Sequence, residues 1–517
     1  MKPKFYITTT LPYVNASPHI GFAMEIVRAD IIARYKKQKG FDSILNTGTD
    51  EHGIKVYREA IKRGIDPKGY VDEYAEKFKN LHQVLGLSDP LLFTRTTNSV
   101  QKKAAQEFWK VCKQNGFIDK GLYNVKYCVG CELEKMDSEL DNDGHCPIHP
   151  LRDIELIVEN NYFFKFSLFQ KKLLDFYEQN PDFVVPDFRY NEIKNFVASG
   201  IRDFSISRLK SKMPWGVEVP DDTEHVMYVW FDALINYVSA IGWPDDMEKF
   251  NRWWPVTQYC GKDNLRQQSA MWQAMLMAAG LPPSRQIIIN GFINIDGQKM
   301  SKSQGSIADP YAIVKEYGTD TLRYYIAREL SSFEDSDYTP EKFLEAYNAG
   351  LANGLGNLVS RTLKMSEMYF NGDVKNSGNI IVPSKIMIEM LDGNQKTEGW
   401  GIPYEIKKTF IPKYEVCMEK FEINKASEVV WTLVSSLDHY ISDYEPFKLI
   451  KTDKEKTEAV VWNVLYGLYF TAQMLEPIMP ETALKIQLLL GTEMDEKGEF
   501  PKSFKTKLPE APLFLRK

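Results

Sequence analysis

The N-terminal segment constrains the fold of this chain more than any other part of the sequence. Residues 5–10 are β-branched or aromatic, which is typical of a buried strand in a parallel sheet. Residues 11–18 follow with the Asn, Ser and Pro of a turn, and a helical pattern begins at His19. A strand that passes directly into a helix predicts an open α/β sheet, in which the helix start faces the crevice at the end of the strand.

The start of this helix carries candidate phosphate-binding residues. Gly21 would let a nucleotide approach the helix backbone because it has no side chain, and His19 would reach a phosphate oxygen. The sequence therefore predicts a nucleotide site at the N-terminus of the first helix.

A second segment, residues 299–303, also has the composition of a phosphate-binding loop. Lys299 and Lys302 place two ammonium groups three positions apart, Ser301 adds a hydroxyl donor, and flanking glycines permit a tight backbone. Taken alone, a short run of lysine and serine is also consistent with a solvated surface loop. In combination with the first helix start, it favours polyphosphate binding.

The bulk composition indicates a multidomain globular protein. At 517 residues and 59.7 kDa the chain is too long for one core, so about three domains are expected. The net charge of -6 argues against a general nucleic-acid coat protein but leaves room for a local basic face. Neither a membrane-spanning run nor a targeting segment is recognisable, so we expect a cytoplasmic protein without membrane contact. A monomer is expected, since no C-terminal dimerisation module is evident.

Two short ligand pairs predict a metal site. Cys128 and Cys131 form one pair, and Cys146 and His149 form the other, each with two intervening residues. Such pairs place three thiolates and one imidazole at the corners of a tetrahedron, which suits a structural zinc ion and leaves no open position for chemistry. His145 is the competing fourth ligand, and free cysteines with a surface histidine are the alternative. The remaining cysteines are predicted to be packing residues: Cys112, Cys260 and Cys417.

Residues 227–242 suggest an apolar slot. The pattern predicts a strand over residues 227–230 and a helix over residues 231–242, with Ala233 and Tyr237 on one helix face just beyond Trp230. These side chains would wall a narrow slot. The alternative is an ordinary aromatic core stripe, which the same spacing would produce.

The two phosphate-binding segments resemble the two signature motifs of class I aminoacyl-tRNA synthetases, and the sequence around them resembles the methionyl-tRNA synthetase family. Further stretches in the family's order support this resemblance: residues 47–53, 228–233, 261–263 and 317–325. The resemblance is extensive up to about residue 361 and thinner beyond it. Several motifs in one order are more specific than any single motif.

The resemblance implies a pocket for methionine. The positions that match it are Leu11, Tyr13, Asp50, Trp230, Ala233, Tyr237 and Gln268. Asp50 would pair with the α-amino group of the substrate, and the backbone of Leu11 would contact the substrate. This assignment is chemically consistent, because a thioether suits a polarizable apolar slot and an ammonium suits a fixed anion.

The resemblance also implies an ATP site, with Mg²⁺ on the polyphosphate. The matching positions are His19, Gly21, Glu25, Gly261, Asp263, Lys299, Ser301 and Lys302. Asp263 would hold the ribose hydroxyls. The catalytic residues would neutralise the phosphates: His19, Lys299 and Lys302. No catalytic base is evident in the sequence.

Two positions depart from the family pattern. Phe22 stands where many members have a second histidine, so packing or another group would replace any imidazole contact to the nucleotide. Gln268 stands where a histidine commonly borders the methionine pocket, and its amide can still donate and accept hydrogen bonds.

The C-terminal third, from about residue 348, has helical periodicity and predicts a helix bundle. Asn357 and Arg361 are spaced to project from one helix face, as an amide and a guanidinium would if both read one base. The resemblance implies that they read the tRNA anticodon and that Phe447, where members commonly have tryptophan, stacks on an anticodon base. The alternatives are a helix-surface residue for Asn357 and a core aromatic for Phe447.

Together with this resemblance, the sequence implies an α/β Rossmann-like catalytic domain with a zinc-binding connective insertion, followed by an all-α helix-bundle anticodon-binding domain. The expected boundaries are residues 1–115 and 226–297 for the catalytic halves, 116–225 for the insertion, 298–347 for a stem-contact segment and 348–517 for the bundle. The resemblance implies a ligase that forms methionyl-adenylate from methionine and ATP and charges tRNA(Met), the initiator included. A different class I synthetase or adenylyltransferase, or a non-catalytic RNA-binding relative, are the alternatives.

Overall fold

The computed structural model forms two compact units. The described residues are 2–14, 17–131, 133–295, 298–299, 308–376, 401–494 and 501–517. The first unit contains residues 1–29 and 36–290, and the second contains residues 30–35 and 291–517. The five-part division expected from the sequence is finer than these units and stays a prediction. Among the helices described, none combines the length and the apolar character needed to cross a membrane.

The first unit contains both strands and helices. The strands are β1 (Lys4–Thr9), β2 (Asp42–Thr49), β3 (Leu91–Arg95), β4 (Ile118–Cys128), β5 (Leu133–Lys135), β6 (Glu155–Phe164), β7 (Val184–Val185), β8 (Phe204–Ser205), β9 (Ser207–Leu209), β10 (Glu218–Val219), β11 (Asp222–Met227), β12 (Thr257–Gly261) and β13 (Gln286–Asn290). The α-helices are Ile20–Gln38, Ile54–Lys62, Pro67–Val84, Ser99–Gln114, Gln170–Gln179, Asp187–Ala198, Val229–Ala233, Asn236–Ser239, Met247–Trp253 and Trp272–Ala278.

A parallel sheet forms the centre of the first unit. Its strand order is β3-β2-β1-β12-β13-β7, and all neighbouring strands in it are parallel. Both β1 and β2 are buried along all but their first residue, as expected for strands covered on both faces. The predicted Rossmann-like α/β class is confirmed.

The segment between β3 and β12 adds antiparallel structure. The strands form one sheet in the order β5-β4-β6-β8 and another in the order β10-β11-β9. The long β4·β6 ladder runs from the Ile118 and Phe164 pair to the Tyr127 and Glu155 pair. The cysteine-bearing segment connects the two strands at the Tyr127 and Glu155 end. One short strand of this segment, β7, returns to the parallel sheet.

The second unit is mainly helical. Its strands are β14 (Ile293–Ile295), β15 (Gln298–Lys299), β16 (Ser336–Tyr338), β17 (Asp373–Lys375), β18 (Thr492–Met494) and β19 (Pro501–Lys505). Its α-helices are Pro310–Tyr317, Thr319–Tyr324, Pro340–Ala346, Asn357–Phe370, Ile402–Glu405, Ile411–Glu419, Ile423–Tyr444, Pro446–Leu449, Lys454–Leu475 and Pro480–Leu490. The predicted helix bundle is confirmed, but the description all-α is wrong, because β17, β19 and β18 form an antiparallel sheet.

A buried ion pair anchors the motif at residues 317–325. Arg323 and Asp30 are both fully buried and lie 2.8 Å apart. Arg323 also donates to the carbonyls of Pro477 and Ile478, while the Asp320 carboxylate accepts from the Thr482 N–H at 2.6 Å. The charged residues of this motif therefore fix helix Thr319–Tyr324 within the second unit, since a buried charge is stable only when it is paired.

Candidate active site

The order of the parallel sheet defines a switch point between β1 and β12. From β1 the chain proceeds through β2 to β3 on one side, whereas β12 and β13 lie on the other side. Thr9 at the end of β1 is in register with Tyr259 of β12. Ligands of open α/β sheets bind outside the carboxyl ends of the strands at such a point. The predicted nucleotide-binding residues follow these two strand ends.

The helix after β1 begins at Ile20, one residue later than predicted. The N–H of Gly21 donates to Nδ1 of His19 at 3.2 Å, so Nε2 carries the proton of the neutral ring. Phe22 packs against the His19 ring with a centroid separation of 4.1 Å and an angle of 31° between the ring planes, and it meets Phe78 edge-on at 5.5 Å. Phe22 therefore holds His19 by packing where many family members have a second imidazole.

Glu25 connects the two strand ends. Its Oε1 accepts from the Thr10 N–H at 2.8 Å, and it also bonds the backbone of Gly261. Burial, and to a smaller extent the charge of Asp263, raises the pKa of the Glu25 carboxyl to about 8. Glu25 is therefore mainly protonated at neutral pH and adds little negative charge to this end of the crevice. The structure thus brings three of the predicted ATP-binding residues together: Glu25, Gly261 and Asp263.

Tyr13 and Asp50 lie side by side after β1 and β2. Their backbones form a parallel bridge, and the Asp50 N–H donates to Pro12 O at 2.9 Å. The Tyr13 hydroxyl donates to the carbonyl of His52 at 2.6 Å. Leu11 and Asp50 are both buried. These contacts fix the positions of two predicted methionine-pocket residues, of which Asp50 is the one predicted to pair with the α-amino group.

The predicted strand and helix over residues 227–242 are wrong in detail. The strand ends at Met227, and Trp230 lies inside a short helix, Val229–Ala233, which a second short helix, Asn236–Ser239, follows. The Asn236 side chain donates to Ala233 O at 2.6 Å, and this bond takes the place of a helical one where the two helices meet. Trp230 is half-buried.

Tyr237 is held by a chain of amides. Gln268 Nε2 donates to the Tyr237 hydroxyl at 2.7 Å, and Gln258 Nε2 donates to Gln268 Oε1 at 2.7 Å. Burial raises the pKa of the Tyr237 hydroxyl above its usual range, and nearby Cys260 and Glu25 raise it further. The hydrogen bonds tie the predicted slot residue to β12, the strand that ends at Gly261. Gln258 was not predicted, because an isolated glutamine in a strand has no sequence signature.

A buried histidine–aspartate pair, which the sequence did not reveal, connects the Asp50 side of the predicted methionine pocket to the Trp230 side. His52 Nδ1 donates to Asp232 Oδ2 at 2.6 Å, and both side chains are almost fully buried. Gln101 Nε2 donates to the Asp232 carbonyl at 2.8 Å. His52 follows Asp50 by two positions, and Asp232 follows Trp230 by two, so this spacing was the available signal. The pair fixes the loop after β2, which contains Asp50 and His52 and is called the Asp50 loop below, against helix Val229–Ala233.

The predicted metal ligands converge at the tip of the β4·β5 hairpin. The ligand atoms of Cys128, Cys131, Cys146 and His149 all lie within 4.8 Å of one another. Cys131 Sγ lies 3.5 Å from Cys146 Sγ and 3.3 Å from His149 Nδ1, close to the roughly 3.5–3.8 Å edges of a tetrahedron built on zinc bond lengths.

The environment of this cluster fits a bound metal ion. The Cys131 N–H points to Cys128 Sγ at 3.4 Å, and a Cβ at Gly130 would overlap the His149 ring, so only glycine leaves room for that imidazole. His145, the competing ligand, is exposed and lies 3.9 Å from Asp141. The donor set suits zinc because thiolates and imidazole are its preferred ligands.

The residues of the second phosphate-binding segment lie mostly outside the described residues. The backbone of Lys299 pairs with Asn294 in the β14·β15 hairpin. The Lys299 side chain, Ser301 and Lys302 belong to the part of the chain that is not described.

The predicted anticodon residues lie on two helices of the second unit. Asn357 is exposed at the start of helix Asn357–Phe370. Arg361, one turn later, forms an ion pair with Asp438 at 2.6 Å. Phe447 lies on helix Pro446–Leu449 and is 46% exposed, so the core-aromatic alternative is wrong.

Comparison with known proteins agrees with this geometry. Residues 5–155 and 151–363 match the family described as tRNA synthetases class I (M), and residues 402–513 match the anticodon binding domain of methionyl tRNA ligase. The methionine--tRNA ligase of Thermotoga maritima is 40% identical over 93% of this chain and 74% of its own length. That of Rickettsia felis is 39% identical over 96% of this chain and 94% of its own length.

A solved structure extends the comparison to the whole fold. The Mycobacterium tuberculosis methionyl-tRNA synthetase in complex with methionyl-adenylate superposes with a TM-score of 0.90 and 33% identity, covering 100% of both chains. The chain therefore belongs to the class I aminoacyl-tRNA synthetases, and within that class to the methionine–tRNA ligase family.

Proposed function

We propose that this protein activates methionine with ATP and transfers it to the 3' end of tRNA(Met), initiator tRNA included. The observation that carries the proposal is the hydrogen-bond chain from Tyr237 in the predicted methionine pocket through Gln268 to Gln258 of β12, the strand that ends at Gly261. This arrangement places an amino-acid pocket next to a nucleotide crevice. A cytoplasmic location and a monomeric state are parts of the same proposal.

In the activation step, a carboxylate oxygen of methionine attacks the α-phosphorus of ATP. A new C–O–P bond forms, the bond to the bridging oxygen of the β-phosphate breaks, and pyrophosphate leaves. Such a displacement needs mainly positioning and charge neutralisation. His19, Lys299 and Lys302 are proposed to neutralise the phosphates, and Mg²⁺ would enter bound to the polyphosphate, as it commonly does with nucleotides.

The nucleotide is proposed to bind at the strand ends of the first unit. Gly21 would admit it to the helix backbone, Asp263 would accept hydrogen bonds from the ribose hydroxyls, and Gly261 would allow close approach. Support comes from the register that aligns the ends of β1 and β12. The raised pKa of Glu25 supports it too, because a protonated carboxyl does not repel the triphosphate.

Methionine selection is proposed to depend on the shape of the slot and on one carboxylate. Tyr13, Trp230 and Tyr237 would enclose the unbranched thioether, while Asp50 would bind the α-ammonium. The Gln268 bond to Tyr237 supports this arrangement, since it fixes the ring without a group that titrates near neutral pH.

The transfer step forms an ester between the methionyl group and a ribose hydroxyl of the terminal adenosine, and AMP leaves. Recognition of the tRNA is proposed to involve Asn357, Arg361 and Phe447 at the anticodon. The exposure of Phe447 supports a stacking role.

The metal is proposed to be one structural Zn²⁺ held by Cys128, Cys131, Cys146 and His149. The segment that carries these ligands adjoins Tyr127 near the end of β4, and the Lys55 ammonium donates to Gly130 O at 2.5 Å. The metal would therefore stabilise the insertion beside the amino-acid pocket without taking part in the chemistry.

Amino-acid-dependent exchange of pyrophosphate into ATP tests the proposal. We expect exchange with methionine and hardly any with leucine or isoleucine. A different class I synthetase or adenylyltransferase would show exchange with another substrate, and a non-catalytic RNA-binding relative would show none.

A further inference from the structure

A second cleft lies in the first unit, next to the predicted methionine pocket. Its volume is about 300 Å³, and its lining comes from the β4·β6 ladder, from β9 and from the chain around Gly53 and Val229. Gly53 follows the Asp50 loop, and Val229 precedes Trp230. The cleft therefore adjoins both walls of the amino-acid pocket without using the residues proposed to bind methionine.

The floor of the cleft is formed by a planar cation and two aromatic rings. The Arg208 guanidinium carbon lies 5.3 Å from the centroid of the Tyr127 ring and 4.8 Å from that of Tyr228. Arg208 is buried, and its Nη1 donates to Ser205 Oγ at 2.9 Å and to Ser207 O at 2.7 Å. The guanidinium is thus fixed in place, and a fixed guanidinium or aromatic plane is a surface on which a nucleobase stacks.

The rim of the cleft carries two exposed cations. Arg58 Nη1 lies 3.1 Å from Glu155, and both side chains are about half exposed. Lys212 Nζ lies 2.8 Å from the buried carboxylate of Glu159, while its own side chain is 58% exposed. The Arg58 pair is exposed and so contributes little to stability, and a phosphate can replace Glu155 as the partner of Arg58 at little cost. Lys212 has to stay paired with the buried Glu159, but an ammonium has three donors and can contact a phosphate as well. Carboxylates at the rim can in turn accept hydrogen bonds from the exocyclic amino group of a base.

We propose that this cleft binds one unpaired nucleotide at the 3' end of the tRNA during the transfer step. The base would lie against Arg208 and the tyrosine rings, and its phosphate would contact Arg58 and Lys212. This inference rests on the proposed function, in which the single-stranded 3' end of the tRNA must enter the aminoacyl site. A stacking floor and a cationic rim beside that site suit such a strand of RNA. Occupation of the cleft would place the terminal ribose hydroxyl near the adenylate. The activation step would not require an occupied cleft.

The double variant Arg58→Ala/Lys212→Ala tests the proposal, since both side chains are exposed. The rate of transfer from preformed methionyl-adenylate to tRNA(Met) should fall about tenfold, while pyrophosphate exchange should change by less than about twofold. Lys103→Ala, which breaks an exposed ion pair with Asp245 elsewhere on this unit, is the matched control and should leave both rates unchanged. Unchanged transfer in the double variant, or an equal loss of exchange and transfer, would overturn the proposal.

Binding of two tRNA probes provides a second, independent readout. Removing the unpaired 3' nucleotides should weaken the affinity of the wild-type protein for tRNA(Met) by roughly tenfold but should hardly affect the double variant. If removal of the 3' nucleotides lowers the affinity equally for the wild-type protein and the double variant, the cleft does not hold the 3' end. Absence of methionine-dependent exchange in the wild type would instead contradict the proposed function and is distinct from either result.

Discussion

At the scale of single residues, Glu25 links the stability of the fold to the nucleotide site through the protonation of its carboxyl. Its pKa is raised from 4.5 to about 8, chiefly by burial. Between these two values the folded protein holds a proton that the unfolded chain has released, so the free energy of unfolding falls as the pH rises through this window. The contribution of the protonated carboxyl is complete below pH 4.5 and is lost as the pH approaches 8.

Replacement of Glu25 by glutamine should remove this pH dependence. Because the amide stays neutral, the melting temperature of Glu25→Gln should fall less than that of the wild type between pH 4.5 and 8. Thermal melts across this range measure the difference. The exposed Glu107, which faces Lys110 at 3.8 Å, offers the control variant Glu107→Gln, whose melting curve should follow the wild type. Parallel pH profiles for Glu25→Gln and wild type would contradict the assignment.

The amide of Gln268 should determine the position of Tyr237. Gln268→Leu would leave the buried Tyr237 hydroxyl and the Gln258 amide without this partner, which should lower the free energy of unfolding by about 1–3 kcal/mol. The KM for methionine should rise. Gln268→His restores the donor that family members commonly have and should retain activity. Urea denaturation and the methionine dependence of exchange check both effects, and a Gln268→Leu protein with unchanged KM would place Tyr237 outside the pocket.

At the scale of secondary-structure elements, the segment that carries the four predicted metal ligands offers the clearest test of a predicted site. Elemental analysis should find one zinc ion per chain, and Cys128→Ser should lose it, because each member of the tetrahedral set supplies one bond. The lone Cys417 gives the control Cys417→Ser, which should keep the metal. Loss of zinc should impair charging of tRNA more than pyrophosphate exchange. Zinc-free protein with full charging activity and unchanged stability would refute a structural role.

The helix that carries Arg361 gives a second prediction at this scale. Arg361→Ala should reduce the aminoacylation efficiency for tRNA(Met) by roughly 5- to 150-fold, the equivalent of about 1–3 kcal/mol for a lost base contact, and should leave exchange near the wild-type rate. Asp438→Ala, which releases Arg361 from its ion pair, should maintain or improve tRNA binding. Lys425→Ala, at another exposed helix pair, is the control. Equal charging by Arg361→Ala and wild type would exclude Arg361 from base recognition.

Several elements were predictable because their signals are local. The buried strand at residues 5–10 and the helix after it follow from consecutive side chains, and the cysteine and histidine spacing brought the metal ligands together. The break after Ala233 was not predictable, since it depends on the Asn236 side chain, which is itself bonded to the distant Asn46. The His52 and Asp232 pair was missed for the same reason, because its partners are far apart in sequence.

For the molecule as a whole, the strand-to-helix pattern and the order of motifs indicated the catalytic fold class, and helical periodicity predicted the mainly helical C-terminal unit. The β17-β19-β18 sheet was not predicted, because its strands are short and join residues 373–375 to residues 492–505. The return of β7 to the parallel sheet was also unexpected. Both features arise from long-range pairing, which a local pattern does not encode. The side chains of residues 299–303 lie outside the described residues, so their proposed role depends on the resemblance.

The measurement that tests the central claim most directly is the charging of tRNA with each of several amino acids in parallel. Purified protein, ATP and total tRNA should yield aminoacyl-tRNA with methionine and hardly any with leucine or isoleucine, because the slot beside Trp230 suits an unbranched thioether. The charged fraction should consist of tRNA(Met). Charging with another amino acid at an equal or greater rate, or methionine-dependent pyrophosphate exchange without any transfer to tRNA, would contradict the account.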